Sequence, residues 1–145
     1  MKKQKRIWIS LLLSFILIIV LTGCSGLPKT AKINITIDPN PVPYDSENEK
    51  WIFNLILSES NGVGVTLISI RFDCYDQEEE YLHTQILDEE DIIDWFDSNY
   101  LPAFSALSRW IGHTCTSKYT IIAVVGVDDN DNPIEATERV DFLPG

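Results

Sequence analysis

Residues 119–127 read Tyr-Thr-Ile-Ile-Ala-Val-Val-Gly-Val, residues 133–142 read Pro-Ile-Glu-Ala-Thr-Glu-Arg-Val-Asp-Phe, and Asp128-Asp-Asn-Asp-Asn132 lies between them. The first run is mostly β-branched and sets Tyr119, Ile121, Ala123, Val125 and Val127 on one face, read as the inward one. In the second, Ile134, Ala136, Glu138, Val140 and Phe142 alternate with Glu135, Thr137, Arg139 and Asp141. A period of two on both sides of a polar turn predicts a terminal β-hairpin.

The same period recurs upstream. Lys32 to Asp38 places Ile33, Ile35 and Ile37 on one face, and Pro39, Pro41 and Pro43 stop the strand and suit an edge position. Asp45 to Lys50 reads as a polar loop. Trp51 to Leu57 is apolar on both faces, as a central strand should be, and Asn61-Gly62 then turns the chain. Val65 to Tyr75 alternates, with Thr66, Ile68, Ile70, Phe72 and Cys74 expected inward. Tyr81 to Leu87 suits a short strand. Asp88 to Phe96 predicts a short helix capped by Asp88, with Glu89, Glu90 and Asp91 in the first turn, where the helix dipole favours anions; Ile92, Ile93 and Phe96 share its apolar face. Leu101 to Ile111 is ambiguous between strand and helix: Phe104, Leu107 and Ile111 suit a helix, Phe104, Ala106 and Trp110 a strand.

Short strands separated by turns, with at most one short helix, predict an all-β antiparallel sandwich of about seven strands. The strand order resembles an immunoglobulin-like or fibronectin type III-like module over roughly residues 32–143. The resemblance is architectural and has no diagnostic motif. Antibody-type domains bridge their second and sixth strands and carry a Trp in the third, whereas here Trp51 opens the second strand and Cys74 ends the third. In that topology the third and sixth strands are antiparallel neighbours, so the end of one meets the start of the other. The resemblance therefore implies a Cys74–Cys115 disulfide, the alternative being two buried thiols. Closing a loop of about 40 residues contributes on the order of 4 kcal/mol in the chain-entropy account.

Ahead of the domain, Lys2, Lys3, Lys5 and Arg6 precede an uncharged run from Ile7 to Leu21, followed by Leu21-Thr22-Gly23-Cys24. A basic start, an apolar stretch and small residues at a cut describe a secretory signal peptide. Ending on cysteine, it resembles the lipobox of bacterial lipoproteins at all four positions. The resemblance implies cleavage after Gly23 and a diacylglyceryl group on the Cys24 thiol. The alternatives are an uncleaved anchor, for which the run is short of the roughly 20 residues a spanning helix needs, and a plain secretory signal. The expected organisation is a signal helix over 1–23, a lipidated tether over 24–31 and one β-sandwich over 32–145.

The part after Gly23 carries seven basic and 22 acidic residues, a net −15. Such a charge argues against nucleic-acid binding, which depends on cations neutralising phosphates, and against adhering to anionic lipid. Lipid at Cys24 is then the membrane attachment: to the outer membrane where the cell has one (Ser25, not Asp, follows the cysteine), otherwise to the outer face of the cell membrane.

Candidate sites are few. Asp128, Asn130 and Asn132 match the first ligand positions of a calcium loop, but Pro133 stands where Gly is required and Arg139 where Glu is, which excludes an EF-hand. The acids of 78–97, with Glu90/Asp94 and Asp94/Asp97 at helical spacing, read as a solvated face. His83, His113 and Cys115 lack a usual zinc spacing. Scattered aromatics (Tyr44, Tyr75, Tyr81, Trp95, Trp110) suit partial core or a binding surface. No catalytic constellation or cofactor is implied. The expectation is a non-enzymatic, lipid-anchored envelope module that binds or scaffolds an envelope protein; the alternative is a small-ligand or calcium binder using its acidic loops. A Cys74–Cys115 bridge predicts that reduction lowers the melting temperature, and an unchanged value with two titratable thiols would refute it.

Overall fold

The computed structural model describes residues 29–114 and 117–145. Gly23, Cys24 and Cys115 lie outside the described residues. Two antiparallel sheets pack face to face. The smaller comprises β1 (Ile33–Asp38), β2 (Tyr44–Asp45), β3 (Lys50–Glu59) and β7 (Ala106–His113), with β1 and β2 on one side of β3 and β7 on the other. The larger runs β5 (Tyr81–Leu87), β4 (Val65–Tyr75), β8 (Tyr119–Asp128), β9 (Pro133–Asp141), and β6 (Tyr100–Leu101) pairs with the start of β4. One helix, α1 (Glu89–Phe96), is described. This is the predicted antiparallel sandwich of immunoglobulin-like order, with its fourth main strand paired to the third rather than joined to the first sheet.

The ambiguous stretch resolves as strand in its second half: β7 buries Ile111 and half-buries Leu107, while Trp110 is 64% exposed and Phe104 sits in the preceding loop. Between β1 and β2 the proline-rich segment crosses toward the other sheet. Val42 N–H donates to Asp141 O (2.7 Å) and Leu143 N–H to Val42 O (2.9 Å), stitching the smaller sheet to the end of β9. Asp88 caps α1 as read from sequence, its carboxylate accepting from Glu90 and Asp91 N–H while Asp91 reaches back to Asp88 N–H. Ile92 and Phe96 are buried, but Ile93 is exposed, so the helix has a narrower apolar face than expected.

The core is built from β3 (Phe53, Leu55, Leu57), β4 (Val65, Leu67, Ile70), β8 (Ile122, Val124) and Val140 of β9, all essentially inaccessible to solvent. Two expected strand faces are inverted. In β4, Val65 and Leu67 point inward, not Thr66 and Ile68, because a bulge against β8 between Leu67 and Ser69 shifts the alternation by one residue. After it Ile70, Phe72 and Cys74 face the core, as read from sequence. In β8 the inward set is Thr120, Ile122, Val124 and Gly126, and Val125 is exposed. Both faces of β8 are apolar, so period two could not choose between them. Gly126 stands opposite the bulge, where a Cβ would lie 2.6 Å from Thr66 O, so the absence of a side chain admits the close approach. Ile122→Lys and Val124→Lys are expected to abolish cooperative thermal unfolding, because each buries a charge with no partner, whereas Val125→Lys should unfold close to the wild-type temperature.

Candidate functional site

Strand order sets the two ends and two sides of the sandwich. β1 begins beside Glu59, β4 begins beside Asp128, and these residues mark the end at which the chain enters the domain. Two buried carboxylates hold that end together. Glu59, 3% exposed, accepts from the backbone N–H groups of Asn61 (2.7 Å), Gly62 (2.8 Å), Phe104 (3.1 Å) and Lys32 (3.2 Å). Burial alone would push its carboxyl up, but the four N–H groups outweigh that and hold it at about 2 instead of 4.5. Asp128, also 3% exposed, accepts from the backbone of Asn130 and Asn132 (2.9 Å each) and Ala31 (3.0 Å), and from Asn132 Nδ2 at both oxygens (3.1 Å). Burial again opposes ionisation and the N–H donors prevail, placing it at about 2.

The Asp128-Asn130-Asn132 turn is therefore a hydrogen-bonded cap over this end of the sandwich. The Asp128 oxygens are engaged by N–H groups, and Asn130 Nδ2 is turned away to Lys29 O (2.8 Å). Neither the depth of Asp128 nor the role of Glu59 was foreseen: both stand among turn residues, where acids are ordinarily solvated. Glu90 and Asp94 of α1 and Asp97 at its C-cap are indeed exposed.

The opposite end has a different chemistry. β1 faces β9 along one side of the sandwich, and β5 and β7 border the other. Along that second side α1 fills the half nearer the chain entry with Ile92 and Phe96. Trp95 reaches toward Phe72, with ring centroids 6.2 Å apart. Beyond Trp95 the side is open. A cavity of about 210 Å³ is lined there by Cys74, His83, Gln85, His113, Thr114 and Thr120 around a floor of Phe53, Phe72, Ile111 and Phe142.

Register explains this lining. Cys74 stands opposite both His83 of β5 and Thr120 of β8, and Phe72 opposite Gln85. Directly opposed residues share a face, so His83 and Gln85 point to the inner side. Thr120 Oγ1 donates to Cys74 Sγ (3.4 Å). Across the gap the His113 ring stacks on Phe142 (centroids 4.5 Å, planes 5° apart), and its Nε2 lies 2.9 Å from the Ser117 hydroxyl. Burial, then the nearby His83, lowers the His113 pKa to about 4, so its ring is neutral at physiological pH.

On β5 the polar His83 and Gln85 thus face inward beside the cavity, while Leu87 is buried in the core. On the outer face Leu82 and Ile86 are 41% and 59% exposed on either side of Thr84, whose hydroxyl donates to Asp73. Polar side chains facing inward and large apolar ones facing solvent break local consistency, and such breaks concentrate at working surfaces. The sequence named His83, His113 and Cys115 as a zinc candidate. The two histidines do line one cavity, and the third member, Cys115, lies outside the described residues. Missed from sequence were Gln85, Thr114 and Thr120; the polar residues at alternate positions 83 and 85 were the available signal.

No protein-family model matches the chain, and no curated protein does. Several solved structures are similar to it at low identity. A Northeast Structural Genomics Consortium target, SoR45, is 13% identical, with a TM-score of 0.49 over 83% of this chain and 92% of that one. The putative ApaA protein of Bordetella pertussis is 15% identical, with a TM-score of 0.45 over 81% and 98%. The CARDB domain of the PF1109 protein of Pyrococcus furiosus, solved with di-metal ions, is 16% identical, with a TM-score of 0.42 over 82% and 95%. At these levels no function carries across.

The two carboxylates predict the acid limb of stability. Their folded pKa values lie below the unfolded ones, so the unfolded chain binds more protons as pH falls. Stability should be fully present above about pH 4.5 and drain away between there and pH 2. In urea titrations across that range, Glu59→Gln should start less stable at pH 7 and show a flatter decline than wild type.

Proposed function

We propose that this chain is a lipid-anchored, non-enzymatic β-sandwich of a bacterial cell envelope that holds a binding surface away from the membrane. The inward-facing His83 and Gln85 of β5 beside the open cavity, with Leu82 and Ile86 exposed on its outer face, carry the binding part of this reading. The two carboxylates with large pKa shifts are shifted down by structural N–H donors, the opposite of what a general acid needs. The cavity histidine is kept neutral and tied to a serine. These features support binding over catalysis.

The anchor part rests on the tetrapeptide ending at Cys24 and on how the described chain enters the domain. Ala31 N–H is tied to buried Asp128, and Asn61 Nδ2 donates to Thr30 O (2.8 Å). Only four residues separate Cys24 from Lys29, a reach of about 17 Å fully extended. Lipid on Cys24 would therefore bring the carboxylate-pinned end to the bilayer. The cavity would stand roughly 30 Å farther out, the length of a ten-residue strand such as β3.

A Cys74–Cys115 bridge belongs to the same reading. Lys118 N–H donates to Tyr75 O (2.8 Å), and Tyr75 pairs with Tyr119. The chain three residues beyond Cys115 is thus hydrogen-bonded to the residue after Cys74.

Cys24→Ser is expected to move the protein from the membrane to the soluble fraction, with unchanged folding by circular dichroism. Retention of the variant on membranes would overturn the anchor and restore the uncleaved segment. Two acyl chains can hold a domain that one holds only marginally, at about 0.8 kcal/mol per buried methylene.

A further inference from the structure

Sheet edges expose unpaired backbone groups, and proteins commonly guard them with proline, charge or cover. Three of the four long edge strands here are guarded. β1 runs into Pro39 and Pro41, β7 carries Arg109, and β9 opens on Pro133 and carries Arg139. β5 has none of these devices. It pairs with β4 on one side, and among the described residues no strand pairs with the other. Its outward side chains are largely apolar, with Tyr81, Leu82 and Ile86 41–59% exposed and Thr84 the polar exception. Its inward ones border the cavity.

Charge identifies what fits there. Residues 76–97 contain ten Asp and Glu and no Lys or Arg. Nearby cations are already paired, Lys118 with Glu79 (3.2 Å) and Arg71 with Asp73 (2.9 Å). Such a rim repels a second copy of this chain and attracts a cationic segment.

We propose that the outer edge of β5 receives an extended, lysine- or arginine-bearing segment of a partner protein by strand addition, and that one uncharged side chain of that segment enters the cavity beside Gln85 and Trp95. In strand addition the main-chain hydrogen bonds supply affinity and pockets for alternate side chains supply specificity. Here the pocket lies below the edge, walled by Trp95 on one flank and His113 on the other. The acids of the 76–80 turn and of α1 flank the two ends of β5, where lysines of the incoming strand would lie. The inference rests on the binding-module reading and supplies the partner's chemistry.

The test uses the full-length protein in detergent and a capped nonapeptide of alternating lysine and valine with a central leucine. Titration calorimetry should give a one-to-one complex that weakens as salt is raised, and the amides of β5 should gain protection from hydrogen exchange. Replacing the central leucine by glycine should weaken binding about tenfold, the effect of leaving one large apolar side chain unburied. Ile86→Lys and Leu82→Lys, both at exposed positions, should each weaken binding about tenfold. Thr137→Lys, which makes the same charge change on β9, should leave it within about twofold. Equal effects of the β5 and β9 variants would reduce the association to charge alone and overturn strand addition. So would equal binding of a glutamate–valine peptide, self-association of the protein through β5, or no binding. A protein released by Cys24→Ser that ignores the peptide would sink this inference and leave the anchored module standing. Retention of that variant on membranes would sink the anchor whatever the peptide does.

Discussion

The phase of β4 against β8 is the constraint from which the rest of the larger sheet takes its sense. A strand has only two faces, so one inserted residue exchanges every side chain beyond it. The bulge between Leu67 and Ser69 makes that exchange once, letting Val65 and Leu67 share the core with Ile70, Phe72 and Cys74. β5 inherits the setting through its register on β4, which turns His83 and Gln85 toward the inter-sheet space and Leu82 and Ile86 toward solvent. The cavity lining and the exposed apolar side chains of β5 are therefore two results of one register on β4. Gly126 is the bulge's condition on the facing strand.

Polar chemistry is divided between the ends. Where the chain enters, Glu59 and Asp128 gather backbone donors from segments far apart in sequence and stay ionised although buried, because each is supplied with several N–H groups. They replace turn hydrogen bonds that short loops cannot make for themselves. At the other end the polar groups are neutral: a histidine, a serine, a threonine and the sulfur of Cys74. The first set fixes loops, and the second lines an opening.

Much of this was legible in sequence, and the misses have identifiable causes. β1 and β9 were readable because one face is apolar and the other polar. The helix was readable because Asp88 and the acids after it are a start signal with a mechanism. β8 was misphased because Ile121 and Val125 are as apolar as Ile122 and Val124, so alternation had nothing to separate. The first half of β4 was misphased because a bulge leaves no mark on the strand that contains it. The mark lies in the partner, as the isolated Gly126 within a β-branched run. Glu59 and Asp128 were hidden because burial of an acid depends on donors brought in from elsewhere in the chain, which spacing within a turn cannot express. The cavity was half visible, as polar residues at alternate positions of a short strand.

The orientation of β1 has a mechanical consequence. The strand starts at the chain-entry end and runs along β3 with all its ladder bonds across the strand axis. A pull between the N-terminus and a partner held at the far end acts along that axis. It loads the rungs together in shear instead of opening them one at a time, and the Ala31–Asp128 bond and the Val42 crossing grip the two ends of the strand. A domain loaded this way should resist tension along its length better than peeling from its edge.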